Sequence, residues 1–346
     1  MPRVRFTVPQ VKSHPDTRPS SCPHCGSSYL HRHGSVTKPI TDLHVSEVTV
    51  HRYRCCDCKR TFRHYPDGVD RHNQSLRLRG LAALSWALGL SHRSVGHMLC
   101  ALGCELSRMS SWRDVQELGP GALRWVSRTR GRVRVIGADE TVLKLRGEKT
   151  VVGVVTDAAT GQIVGMDVLV ERDTEGFVDW LSDYVSELGV EAMVTDDLST
   201  YKPVVEHLGV EHQVCIAHVR KNVWNRLKKV DGWEWCKARI WELMTELPDV
   251  GGRELFDMER RVRGEPDLRR LVVELSEKWR SLTCHCRVSG MPQTNNCTER
   301  AIGRSKIRYK TVRGYESEEG MLNGLGLTQW VSVSYTHLTL PTNREV

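Results

Sequence analysis

Between Ser75 and Leu118 the apolar residues recur with a helical period. Leu76, Leu78, Leu81, Leu84, Trp86 and Leu88 mark a first helix, with Ser75 placed to cap it. Gly89 breaks that pattern, Ser91 opens a second helix running to Leu102, and Gly103 ends it. Ser107 caps a third helix, and Gly119-Pro120-Gly121 is expected to close it. Upstream, residues 40–50 read as one strand continued by 51–54, and residues 61–63 as another. Downstream, residues 133–136, 150–156 and 162–169 read as three strands, the last two joined through the turn Asp157-Ala158-Ala159-Thr160-Gly161. An amphipathic helix over 175–188, a short buried strand over 192–195 and a helix over 201–208 follow, and residues 224–282 are helical.

Charge changes the picture because it is unevenly spread. Residues 1–132 carry 21 Lys and Arg against 9 Asp and Glu, whereas residues 133–346 carry 29 against 33. A basic front joined to a mildly acidic body suggests a DNA-binding module attached to a catalytic one. No stretch reaches the roughly 18 uncharged apolar residues of a membrane span. Met1-Pro2-Arg3-Val4-Arg5 lacks the apolar core of a secretion signal. The expectation is a cytoplasmic protein, nucleoid-associated when bound to DNA, with no membrane partner. Its twelve cysteines then read as metal ligands and free thiols rather than disulfides.

Cys22-Pro23-His24-Cys25 and Cys55-Cys56-Asp57-Cys58 are two C-x-x-C loops with 29 residues between them. Four thiolates at that spacing can converge on one tetrahedral zinc ion, which pins strands too poor in apolar residues to hold a core. Cys22, Cys25, Cys55 and Cys58 are therefore the expected ligands of a structural zinc ribbon. In the helix-turn-helix reading, the third helix carries Arg108, Ser111 and Arg113 towards DNA.

Three acids stand in informative places. Asp139 follows the run Val133–Ile136, Asp196 ends Ala192-Met193-Val194-Thr195, and Glu299 lies in Asn295-Asn296-Cys297-Thr298-Glu299-Arg300. Hard divalent cations prefer carboxylate oxygens, and metal held by such acids serves in-line phosphoryl transfer. Asp139, Asp196 and Glu299 are the expected catalytic ligands of magnesium or manganese. Asp197 competes with Asp196 and is expected to cap the next helix instead. Asn296-x-x-Glu299 also reads as a capping box, which leaves a purely structural role open for Glu299. Beyond it, Arg300, Arg304, Lys306 and Arg308 form a basic run suited to phosphates. Three strands in hairpin order, a helix, a strand and a helix is the order of an α/β, ribonuclease-H-like domain, in which the strands bearing Asp139 and Asp196 are neighbours.

Asp139-Glu140-Thr141, the hairpin, Arg172-Asp173, Thr195-Asp196-Asp197 with Tyr201, and Asn295-Asn296…Glu299-Arg300…Arg313-Gly314-Tyr315 together resemble DDE transposases of bacterial insertion sequences. The resemblance covers roughly residues 20–330 in organisation and is sharp only around the three acids. Cys215-Ile216-Ala217-His218 is similar to a C-x-x-H motif that some transposase groups carry between their second and third acids, and its role is open. The resemblance implies Mg-dependent cleavage and joining of double-stranded DNA, with terminal inverted repeats and target DNA as partners and a homo-oligomer on DNA. The alternatives are an inactive, transposase-derived regulator and a nuclease without strand transfer. The expected domains are a zinc ribbon (1–68), a helix-turn-helix (69–128) and a catalytic domain (129–332) with an all-helical insertion at about 219–290. Residues 333–346 read as a non-native tail resembling a translated sequencing-library adapter.

Overall fold

A computed structural model of the chain describes residues 6–129, 131–333 and 338–339. Most of the expected tail, 334–337 and 340–346, lies outside the described residues. Two compact units form: one contains the chain up to Arg128 and again from Ile307 onward, the other is Thr129–Lys306. Among the described residues no helix is long and apolar enough to cross a membrane.

In the first unit, β1 (Phe6–Thr7) pairs in parallel with β10 (Leu338–Thr339). An antiparallel sheet follows in the order β2 (Leu30–Pro39), β3 (Glu47–Cys55), β4 (Thr61–His64). This corrects the sequence reading, which ran one strand from residue 40 and left 30–39 unassigned. Residues 40–46 instead form the connection, and β2 is exposed along nearly all its length, so it shows no alternation to read. Val48, Val50, Ile40 and Val69 make a small core beneath the sheet.

Helices α1 (Leu76–Ala87) and α2 (His92–Ala101) start as expected, with Ser75 and Ser91 accepting the N–H of Leu78 and Ser94. Helix α3 departs from expectation: it runs unbroken from Arg108 to Thr129 through Pro120. The glycines around that proline serve close packing. A Cβ on Gly119 would lie 2.5 Å from Asn323 Cβ on α12 (Glu318–Val333), and Leu123 fills the space beside Gly326. Leu78, Trp86, Leu99, Val115, Ala122, Leu327 and Trp330 share one core. The segment from Ile307 on, assigned by sequence to the catalytic body, thus belongs to the first unit.

The second unit is built on a five-stranded mixed sheet in the order β7 (Ile163–Leu169), β6 (Glu148–Asp157), β5 (Val135–Leu145), β8 (Ala192–Thr195), β9 (Glu211–Val214). The first three strands are antiparallel, while β5–β8 and β8–β9 are parallel. Helices α4 (Thr174–Leu188) and α5 (Tyr201–Leu208) cover one face through Phe177, Trp180, Leu181, Tyr201 and Val204, packed on Ile136, Ala138 and Met193. Asp173 caps α4 by accepting the Gly176 N–H at 2.9 Å. Four helices, α6 (Ile216–Leu227), α7 (Glu234–Glu246), α8 (Gly251–Glu259) and α9 (Pro266–Leu282), enclose a separate core that includes Val223, Ile240, Leu255, Leu271 and Trp279. The short α10 (Cys284–Arg287) and the N-terminal part of α11 (Asn296–Val312) complete the unit.

Candidate metal centres

Asp139 and Asp196 meet because of strand register. In the parallel pair β5–β8, Val135 faces Ala192 and Gly137 faces Val194, and pairing stops there. Two residues further along each strand come Asp139 and Asp196, on the same face by the two-residue period. Asp139 is therefore not at a strand end, as the sequence suggested. It lies inside β5, paired with Val154 of β6, at the point where β5 outruns β8. The seam opens at the two carboxylates.

Glu140, which sequence reasoning passed over, joins them. Oxygens of Asp139, Glu140 and Asp196 lie within 4.8 Å of one another, all half-buried. The Glu140 N–H donates to Asp139 Oδ1 at 2.8 Å. Burial, reinforced by the charges of Asp196 and Glu299, raises Asp139 to about 6. Burial, then Asp196 and Asp139, raises Glu140 to about 7, with Arg172 opposing. Burial and the same three carboxylates hold the Tyr201 phenol protonated far above its usual range. Oxygen-only donors, crowded and short of compensating cations, are the donor set that fits a hard divalent ion.

Glu299 arrives from α11, whose first turn is docked on β5. Asn295 Nδ2 donates to Ala138 O at 2.9 Å, and Thr298 Oγ1 bonds Thr156 Oγ1 at 2.8 Å. Gly137 makes the docking possible, since a Cβ there would collide with Thr298 Oγ1. The Glu299 carboxylate faces His218 Nε2 at 3.6 Å, and its charge is felt at Asp139. It lies with Cys215 and His218 rather than inside the tight acidic group. Asp197 does not cap a helix: it pairs with Lys278 Nζ at 2.6 Å and accepts from Asn222 at 3.2 Å. Asp196 takes the local turn instead, accepting the Leu198 N–H at 3.0 Å.

The four cysteines of the first unit also converge. Cys22 and Cys58 sulfurs are 3.7 Å apart, and Cys25 and Cys55 sulfurs 3.6 Å apart. A disulfide needs about 2.05 Å. Four sulfurs about 2.3 Å from a tetrahedral centre stand about 3.8 Å from one another, so the spacing fits one zinc-like ion. Each loop ends in a left-handed residue, Gly26 at φ 76° and Lys59 at φ 60°.

The residues expected on DNA divide. Arg108 and Arg113 are exposed at the start of α3, flanked by exposed Met109 and Trp112. Ser111 is buried against His92 Nδ1 at 3.0 Å, so it faces the helix core and not outward. Arg300, Arg304 and Lys306 are exposed on α11, Arg304 donating to Gly161 O at 3.1 Å. Arg308 is buried: its guanidinium lies 3.8 Å from the Trp86 ring centre and donates to Leu90 O. Neither Ser111 nor Arg308 presents a group to phosphate.

No family model and no curated protein matches the chain. Solved structures do. The catalytic core domain of HTLV-2 integrase, in complex with magnesium, is 16% identical over 34% of this chain and 87% of its own, with a TM-score of 0.21. The catalytic core domain of BIV integrase is 12% identical over 50% of this chain and 99% of its own, TM-score 0.20. A simian T-cell lymphotropic virus intasome in complex with PP2A regulatory subunit B56 gamma gives 12% identity over 48% of this chain and 57% of that one, TM-score 0.22.

Proposed function

We propose that the chain is a DDE transposase, which binds the ends of an insertion element and catalyses metal-dependent DNA strand cleavage and strand transfer. The observation that carries this reading is the opening of the β5–β8 seam at Asp139 and Asp196, with Glu140 beside them and Glu299 brought up by α11. Asp139, Asp196 and Glu299 are the residues that would hold magnesium or manganese, and Glu140 is a fourth carboxylate within reach. Such an ion supplies charge neutralisation and an activated water or hydroxyl for in-line attack on phosphorus. The protein's own work is placement: the sheet fixes two carboxylates side by side, and the Asn295 and Thr298 contacts fix the third. Arg300, next to Glu299, and Lys306, about two turns further along α11, are exposed and suit the flanking phosphates.

On this reading the four-cysteine sheet is a zinc ribbon and α2–α3 a helix-turn-helix, with Arg108 and Arg113 meeting the terminal inverted repeats. Two ends must be joined to one target, so the working form is a homo-oligomer on DNA. The test uses the DNA that flanks the coding sequence as substrate. The wild-type chain should cleave and join it with Mg²⁺, and Asp139→Asn, Asp196→Asn and Glu299→Gln should lose both activities while still binding. Binding by the wild type without cleavage would identify a DNA-binding regulator; cleavage without joining would identify a nuclease.

A further inference from the structure

The C-x-x-H motif of α6 is not used by the chemistry above, yet its side chains are not idle packing. Cys215 ends β9's connection into α6, its N–H held by Thr195 O at 2.8 Å. His218 follows three residues later, on the same face one turn into the helix. The N–H of Ile216 donates to Gln293 O at 3.1 Å, tying this turn to the segment that leads into α11 and Glu299. As a result a thiol, an imidazole and a carboxylate from two separate elements have ligand atoms within 4.8 Å of one another.

Two features set this group apart from a surface coincidence. First, it contains sulfur and nitrogen donors, unlike the oxygen-only group beside it. Second, the imidazole has no hydrogen bond among the described residues. Its Nδ1 is shielded from solvent and unpartnered, and its Nε2 faces Glu299 Oε1 at 3.6 Å, beyond hydrogen-bonding reach. Neutral imidazole is the commonest metal ligand, and here the nitrogen turned to Glu299, Nε2, has no hydrogen-bond partner among the described residues to displace.

We propose that Cys215, His218 and Glu299 form a second transition-metal site, selective for a thiophilic divalent cation such as zinc. Zinc takes sulfur at about 2.3 Å and nitrogen or oxygen at about 2.0–2.2 Å, which places tetrahedral ligand atoms about 3.5 Å apart. The His218–Glu299 pair already stands at that separation. The His218 and Glu299 side chains are each about two-fifths exposed, at 41% and 42%, so an ion can enter and water can complete the coordination. Magnesium would avoid the thiolate and stay with the oxygen donors. The site shares Glu299 with the carboxylates proposed to hold magnesium, whereas Cys215 and His218 belong to it alone, and it does not depend on whether the four-cysteine cluster holds its own ion.

The experiment is a zinc titration of the full, reduced and chelator-stripped chain against a competing indicator, with wild type compared to Cys215→Ser and His218→Gln. Each variant should bind one zinc ion per chain fewer than wild type, with circular dichroism unchanged. The half-exposed His218 keeps the test decisive if Cys215→Ser misfolds. Equal zinc stoichiometry in wild type and His218→Gln would overturn the proposal. Zinc bound at the same count with and without both substitutions, in folded protein, would do so equally.

Discussion

Gly137 shows how a single missing methyl decides the geometry of a site. It sits on the face of β5 that carries Asp139 two residues later, and the first turn of α11 rests directly on it through Thr298 and Asn295. Gly137→Ala is expected to push that turn away, costing roughly 1–3 kcal/mol as overpacking does, and to displace Glu299 more than Asp139. On the proposed function, DNA binding should survive while cleavage falls. Adding Thr298→Ala should restore part of the stability, and a double mutant no more stable than Gly137→Ala alone would locate the clash elsewhere. The neighbouring acids make a second contrast at this scale. Asp196→Asn removes a carboxylate from the open seam, whereas Asp197→Asn weakens a pair with Lys278 on the insertion side. The first should abolish metal-dependent cleavage and the second should lower it several-fold at most; the reverse order in a cleavage assay would mean that the second acid of the site is Asp197.

Whether an element was legible depended on how its residues meet solvent. Helices α2 and α4 bury one stripe and α1 a broader face, so periodicity pointed to all three, and the serine caps pointed to α1 and α2 as well. Strand β8 is buried throughout and short, which the apolar run before Asp196 announced. Strand β9, with His212 and Gln213 buried among its four residues, carries polar side chains in the interior and left no pattern. The strand that places Asp139 was read as too short because residues beyond it pair only with β6 and mix polar with apolar. Gly119-Pro120-Gly121 misled because helix breakers can also be spacers, here for α12. Asp139 and Asp196 stand together, as the apolar runs before them suggested, whereas Glu299 lies with Cys215 and His218 and Glu140 was hidden: adjacent strand residues point to opposite faces, and the open seam lets both reach Asp196. For the β2–β4 sheet the cysteine spacing was a better guide than hydropathy, since few apolar residues support it. On the zinc-ribbon reading, Cys55→Ser or a zinc chelator is expected to unfold that sheet, because metal binding supplies about 10–16 kcal/mol in zinc-finger peptides. Loss of proteolytic protection over residues 20–65, with residues 133–306 still protected, is the expected readout; retained protection after chelation would show that the sheet stands without metal.

At the scale of the whole molecule, the crowded carboxylates make the stability of the second unit depend on pH and, on the proposed function, on magnesium. Asp139 is raised to about 6 and Glu140 to about 7 by burial and mutual repulsion. Both folded values exceed the ordinary ones, so between about pH 4 and 7 the folded chain binds more protons than the unfolded chain. Stability contributed by these two groups is present at low pH and is lost as pH rises through that window. His212, lowered to about 4 by burial, works in the opposite direction: the unfolded chain takes up its proton first, so acid below about 6.5 removes stability. Magnesium separates the two effects. Held by the ionised carboxylates of the folded form only, it would add about 2.7 kcal/mol at a hundredfold excess over its dissociation constant. Below pH 6 protons compete for the same oxygens and the gain shrinks. Thermal unfolding of the second unit, followed with and without Mg²⁺, should show a large rise in Tm at pH 8 and little at pH 5.5. Asp139→Asn should erase the difference while leaving the acid-side loss due to His212 in place. A magnesium gain that is the same at both pH values, or that persists in Asp139→Asn, would mean that the ion sits away from the open β5–β8 seam.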